Sequence, residues 1–309
     1  MISNRYRKLA LAACIGMLLV LLAGALVTNT ESGRGCGDDW PLCHGKFIPA
    51  YTIESMIEYS HRLVTGIVGL IVLAVFILTI KDYRQHKEAV LYSAGTGFFT
   101  VLQALLGAAA VIWPTSPPVM ALHFGFSIMA FTCTLLLVMW ARRMKDGIEA
   151  DRPSTPVHPQ IFTLTIAALV FSYVVIYLGA FIRHTDSSGG CLGWPLCNGE
   201  FIPELEGATR IVFYHRVGAI ILTVLLGLIW SRTVRYAQAQ PAIRRSARHV
   251  FILVVCQIFS GALLTATLTN EDWFLFTSLI HNTIISVLFA FMCDLAIRSW
   301  KWREGRYRP

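Results

Sequence analysis

Residues 36–81 read CGDDWPLCHGKFIPAYTIESMIEYSHRLVTGIVGLIVLAVFILTIK. Two cysteines bracket a Trp-Pro step, the pair His61-Arg62 follows, and an apolar run then continues to Lys81. At about 1.5 Å per residue, a run of roughly twenty residues crosses the hydrocarbon of a bilayer as one helix. Runs of this kind recur along the sequence and predict spans over 8–28, 60–80, 91–113, 118–141, 160–182, 214–232, 247–269 and 273–297. With 55% hydrophobic and 14% charged residues among 309, the chain has too little polar surface for a soluble body of this length. The expected fold class is all-α, a polytopic membrane protein of eight transmembrane helices with little chain left over for a soluble domain.

The formal charge of +8 does not point to nucleic acid, because of where it sits. Of 26 Lys and Arg residues, 20 fall at alternate ends of the spans: Arg5 to Lys8, Lys81 to Lys87, Arg142 to Arg152, Arg232 to Arg248 and Arg298 to Arg308. The opposite ends hold Arg34, Lys46, Arg62, Arg183, Arg210 and Arg216. This positive-inside bias predicts a multi-pass cell-membrane protein with both termini cytoplasmic and the cysteine loops outside. The first span has the look of a signal peptide, with Ala23-Gly24-Ala25 as a cleavage-like site. The same Gly-Ala step recurs deep in the chain as Gly179-Ala180, so the first segment is read as a retained helix.

That recurrence belongs to an internal repeat. Cys36, Trp40-Pro41-Leu42-Cys43, Gly45, Phe47-Ile48-Pro49 and His61-Arg62 return as Cys191, Trp194-Pro195-Leu196-Cys197, Gly199, Phe201-Ile202-Pro203 and His215-Arg216. From the tryptophan onward the offset is a constant 154 residues, and Gln103 and Gly107 return as Gln257 and Gly261. Two repeated four-helix bundles are expected, residues 1–148 and 149–309, joined through the Pro- and charge-bearing segment 142–159.

Eight cysteines fall into two sets. Cys14, Cys133, Cys256 and Cys293 lie in apolar spans and read as small buried hydrophobes. Cys36 with Cys43, and Cys191 with Cys197, lie in the loops placed outside, where oxidising conditions favour local disulfides. A zinc site is the competing reading, but one loop offers only two thiolates and His44, short of four ligands. A redox role for the pairs stays open. Covalent c-type heme would need Cys-x-x-Cys-His, which the sequence lacks.

Nine histidines are present. His44, His86, His158, His184 and His249 sit in loops or at span ends. His61, His123, His215 and His281 stand 20, 19, 17 and 17 residues from the basic residue ending their spans, roughly 26–30 Å along a helix. Four ionisable side chains at one depth, two per repeat, mark function. Paired imidazoles from two helices can ligate one flat macrocycle, a bis-histidine heme, in each half. Binuclear metal chemistry would want more carboxylates nearby, and a zinc protease would show His-Glu-x-x-His. Arg62 and Arg216 follow the ligands and are candidates for heme propionates; Gly66, Gly69, Gly107 and Gly261 are candidates for making room for the ring. Glu58 lies one turn before His61, and its repeat position is Val212. A carboxylate beside one heme only points to chemistry in that half and electron carriage in the other.

These elements together, the Cys…Trp-Pro-Leu-Cys loops, Glu58-Tyr59-Ser60-His61-Arg62, His123, His215-Arg216 and His281, resemble heme A synthase in its bacterial form with paired loop cysteines. The resemblance covers nearly the whole chain; the second cysteine loop is one residue shorter than the first. It implies oxidation of the C8 methyl of heme O to a formyl group, giving heme A for terminal oxidases. By resemblance, His215 and His281 hold heme b, His61 and His123 receive the substrate heme, and Glu58 is catalytic. Heme O synthase and terminal oxidase assembly are the implied partners, with an electron acceptor that the sequence does not name. A di-heme quinol-oxidising cytochrome and a heme carrier are the alternatives that share the same histidines.

Overall fold

The computed structural model describes residues 2–47, 52–113, 116–146 and 155–303. Ile48 and Pro49 of the first loop, Arg152, Arg306, Arg308 and residues 147–154 of the expected linker lie outside the described residues. Eight α-helices are present among the described residues: α1 (Asn4–Asn29), α2 (Ile53–Asp82), α3 (Lys87–Ile112), α4 (Pro117–Asp146), α5 (Pro159–His184), α6 (Gly207–Tyr236), α7 (Pro241–Ala266) and α8 (Glu271–Lys301). All eight are long and apolar enough to cross a membrane, and no strand is formed among the described residues.

Local chemistry sets the helix ends. Ser3 Oγ accepts from the Tyr6 N–H at 3.1 Å, Thr52 Oγ1 from Ser55 at 3.3 Å and Asn270 Oδ1 from Trp273 at 3.0 Å, each satisfying an orphan donor of a first turn. Pro159 and Pro241 open α5 and α7, where a missing N–H costs nothing. Every helix starts ahead of the apolar run that reveals it. Helix α6 starts at Gly207 rather than 214, and α7 covers 241–266 rather than 247–269. Hydropathy marks the hydrocarbon layer, whereas the backbone stays helical until a cap or proline stops it.

Large apolar side chains point outward, Leu70 being 69% and Phe259 63% exposed, which suits lipid and not water. Inside, small hydroxyl residues pack. Buried Thr79, Thr165, Thr233 and Ser286 each return their hydroxyl to the carbonyl four residues earlier, at 2.6–2.7 Å. Cys14 is buried, Cys133 and Cys293 are half-buried, and Cys256 is exposed. For Cys256 the expectation of burial therefore fails; its thiol is apolar enough to sit on a lipid-facing surface.

The chain forms two compact units, Met1–Lys145 and Asp146–Pro309. In the second, α5 packs against α6 and α8, and α7 packs against the same two. Helices α6 and α8 thus stand diagonally across the bundle. In the first, α2 packs on α1 and α3. Helix α4 meets α3 through Ser127–Gln103 and α1 through Thr134–Cys14. Helices α2 and α4 are the diagonal pair there.

Candidate heme-binding sites and cysteine loops

The four depth-matched histidines all fall within the first three turns of the even-numbered helices. Each imidazole lies against a glycine of the preceding helix. A Cβ built at Gly24 would meet His61 Cε1 at 3.4 Å, at Gly107 His123 Cε1 at 3.8 Å, at Gly179 His215 Cε1 at 2.9 Å and at Gly261 His281 Cε1 at 3.4 Å. Gly179 alone makes room for its ligand ring, the other three lie where a Cβ would make ordinary contact, and a Cβ on Gly66 or Gly69 would meet nothing within 4 Å. Each diagonal helix pair therefore carries two half-buried imidazoles that lean on their neighbours inside the bundle.

Hydrogen bonding orients the rings of the second unit. His215 Nδ1 is 3.0 Å from the Val175 carbonyl oxygen, which can only accept, so the proton is on Nδ1 and Nε2 keeps a lone pair. His281 Nδ1 is 2.8 Å from Ser260 Oγ, and the Gln257 amide nitrogen is 2.9 Å from His281 Nε2. The two imidazoles are close enough to act on each other electrostatically. In the first unit, His61 Nδ1 is buried without a hydrogen-bond partner among the described residues. Ser127 Oγ of α4 has one proton for two acceptors in reach, Gln103 Oε1 at 2.6 Å and the His123 carbonyl at 3.0 Å.

Two imidazoles suit a heme, which brings four ring nitrogens of its own. No group of three His, Cys, Asp or Glu side chains able to hold a bare metal ion occurs among the described residues. A lone pair on Nε2 with Nδ1–H held by the protein is also the arrangement an iron ligand needs. The second unit's donor set fits the group.

Four of the other five histidines take local partners. His44 Nε2 bonds the Gly35 carbonyl at 3.1 Å, the His86 ring lies 5.3 Å from Trp140, His158 stacks on Tyr236 and His249 meets Phe291 edge-on. His184 is the last residue of α5.

The cysteine loops share one construction. Cys36 and Cys43 stand at disulfide distance, Cα atoms 4.4 Å apart, as do Cys191 and Cys197 at 4.7 Å. The peptide bonds before Pro41 and Pro195 are cis. Positive φ at His44-Gly45 and Asn198-Gly199 turns the chain back on itself, closing two-residue hairpins between Cys43 and Lys46 and between Cys197 and Glu200. Each loop lies directly on a helix start. A Cβ on Gly35 would fall 2.4–2.6 Å from the Glu54–Ser55 backbone, and one on Gly190 2.5–2.7 Å from Ala208–Thr209. Only glycine permits that approach.

Arg62 and Arg216 grip these loops. Arg62 Nη1 donates to the Asp39 carbonyl at 2.7 Å and the Leu42 carbonyl at 2.6 Å. Arg216 Nη1 donates to Gly193 and Leu196 at 2.9 and 3.1 Å, and its Nη2 to the Cys191 carbonyl at 2.9 Å. The second guanidinium nitrogen of Arg62 is bonded instead to Glu58 Oε1. Glu58, only 4% exposed, also accepts the Cys36 N–H through Oε2 at 2.8 Å. Val212 occupies the corresponding place in the second unit, in an apolar cluster with Ile182, Cys191 and Cys197. The structure thus joins Glu58, Arg62 and the first loop into one network, with both arginines turned to loop carbonyls.

Val175, Gln257 and Ser260 bind the second unit's imidazoles yet carry no mark in the sequence. Only Gln257, by repeating Gln103, offered a signal.

The COX15-CtaA family model, described as cytochrome oxidase assembly protein, matches residues 7–56 and 50–293. The chain is 39% identical over 297 residues to the heme A synthase of Symbiobacterium thermophilum, covering 94% of this chain and 95% of that protein. It is 38% identical over 296 residues to the enzyme of Lysinibacillus sphaericus, covering 94% of each, and 37% identical over 293 to that of Shouchella clausii, covering 94% and 96%. By this likeness along nearly its full length, the chain belongs to the COX15-CtaA family of cytochrome oxidase assembly proteins.

Proposed function

We propose that this protein is a heme A synthase, an oxidoreductase that converts the C8 methyl of heme O to a formyl group and so supplies heme A to terminal oxidases. Its relatives along 94% of the chain are heme A synthases. The observation on this chain that carries the reading is the pair of imidazoles on diagonal helices in each unit, every ring against a neighbour's glycine.

His61 and His123 hold the substrate heme in the N-terminal unit, and His215 and His281 hold a resident heme b in the C-terminal unit. The division is supported by the buried carboxylate of Glu58 beside His61, where the second unit has Val212. When bound, heme b supplies one-electron transfer away from the substrate, toward an acceptor in the membrane. If His61 and His123 both held the substrate heme, no position would be open for oxygen, and water would supply the formyl oxygen as electrons leave the ring. The methyl carbon undergoes two successive two-electron oxidations, and the gem-diol loses water. Glu58 Oε1 and Oε2 each hold one hydrogen bond. A carboxylate oxygen accepts about two, so each keeps capacity for the proton leaving the carbon or for the attacking water. Arg62 fixes the direction of that carboxylate.

The alternation of basic residues supports cytoplasmic termini and extracytoplasmic cysteine loops, and heme O synthase is the source of substrate. The test is co-expression with a heme O source, followed by pyridine hemochrome spectra and mass analysis of the extracted pigment. Heme O and heme A together with heme B are expected. Heme B alone would instead make the protein a di-heme electron-transfer cytochrome.

A further inference from the structure

Resting on the assignment of a resident heme to His215 and His281, we propose that Ser260 is a positioning residue for that heme. It fixes the Nδ1 proton of His281 and thereby lowers the heme's reduction potential. Ser260 lies on α7, 6% exposed, with its Oγ 2.9 Å from the Gln257 carbonyl and 2.8 Å from His281 Nδ1. A hydroxyl has one proton to give, and the carbonyl takes it, so toward His281 the oxygen accepts. Nδ1 therefore carries hydrogen and Nε2 the lone pair.

The Gln257 amide nitrogen lies 3.2 Å from Nδ1 and 2.9 Å from Nε2, and of these only Nε2 can accept from it. The amide thus covers the lone pair that iron takes. Its own Oε1 is buried without a partner among the described residues, so nothing anchors that end when the amide turns aside.

His215 is held in the same sense by the Val175 carbonyl at 3.0 Å. Among the described residues the first unit does not repeat this hydroxyl. The position 154 residues before Ser260 is Leu106, which has no hydroxyl. Gln103 is engaged by Ser127 at 2.6 Å, and His61 Nδ1 has no partner among the described residues. An Nδ1–H bonded to oxygen makes imidazole the stronger donor and favours ferric over ferrous iron. The device belongs to a heme that stays and cycles, not to one that leaves as product.

The test is a redox titration of purified protein made without a heme O source, so that only heme B is present. Loss of an outer-shell partner weakens ligation about tenfold. If that loss falls on the ferric state, the midpoint rises by about 59 mV in Ser260→Ala. Ser260→Thr, which keeps the hydroxyl, stays at the wild-type value. A merely structural role would lower heme content in Ser260→Ala and leave the midpoint in place, which overturns the proposal. If Ser260→Ala does not accumulate, Ser260→Cys, with its weaker acceptor, shows a smaller rise in the same direction; an unchanged midpoint there overturns the proposal equally. A heme that survives His215→Ala would sink the underlying assignment, whereas one that needs His215 yet ignores Ser260 sinks only this inference.

Discussion

Gly179→Ala tests the glycine contacts directly. The added methyl would sit 2.9 Å from His215 Cε1, 3.4 Å from Nδ1 and 3.5 Å from Nε2. Carbon atoms rest at about 3.5–4.0 Å, so the ring must retreat by roughly 0.6 Å or more. The ring hangs on a 3.0 Å bond from Nδ1 to the Val175 carbonyl, and that bond stretches toward the limit of about 3.5 Å as the ring moves. Overpacking of this kind costs about 1–3 kcal/mol, equivalent to a 5- to 150-fold weaker hold on heme. Gly261→Ala is the control within the same unit, because its methyl would meet His281 Cε1 at 3.4 Å, an ordinary contact. Heme B per protein, measured by pyridine hemochrome along a detergent wash, should fall for Gly179→Ala and hold for Gly261→Ala. Equal retention in both, or the reverse order, would refute the view that these glycines set the ligand rings.

Arg62→Ala should cost about 3–5 kcal/mol, because it strands the buried carboxylate of Glu58. The double variant Arg62→Ala/Glu58→Gln should recover part of the loss in thermal melting, and a double variant no more stable than the single would count against the pairing. Gly190→Ala should lift the second loop off α6, since no side chain gives way where backbone stands 2.5–2.7 Å off. Maleimide labelling of Cys191 and Cys197 after mild reduction should then be faster than in wild type, and unchanged labelling would contradict this. Glu58→Gln keeps the side chain's volume and one of its two accepted hydrogen bonds, its amide nitrogen being a donor only; heme content should be near normal while the formyl product disappears from extracted pigment. A normal yield of heme A would remove Glu58 from the chemistry.

Length and apolarity made all eight helices legible, because a bilayer leaves the backbone few alternatives to a helix. Their ends were not, since caps such as Thr52 and Asn270 lie beyond the hydrocarbon run. The common depth of His61, His123, His215 and His281 was readable from spacing to the next basic residue. What their rings touch was not, because a glycine on the neighbouring helix is near in space and remote in sequence. Arg62 and Arg216 illustrate the same limit. Their partners are loop carbonyls, which every residue possesses and no letter in the sequence singles out. Ser260 escaped for the opposite reason: its repeat position holds leucine, so a search for shared residues passes over it.

An imidazole that leans on a neighbour's main chain has its azimuth chosen by helix separation rather than by its own rotamer preference. At Gly179 the clearance is already below a normal contact once any side chain is added. Heme ligation by His215, as proposed, would thereby be coupled to how closely α5 lies against α6. Hydrophobic thickness, which tilts and slides transmembrane helices, would thus act on the His215 ring through a glycine of the neighbouring helix.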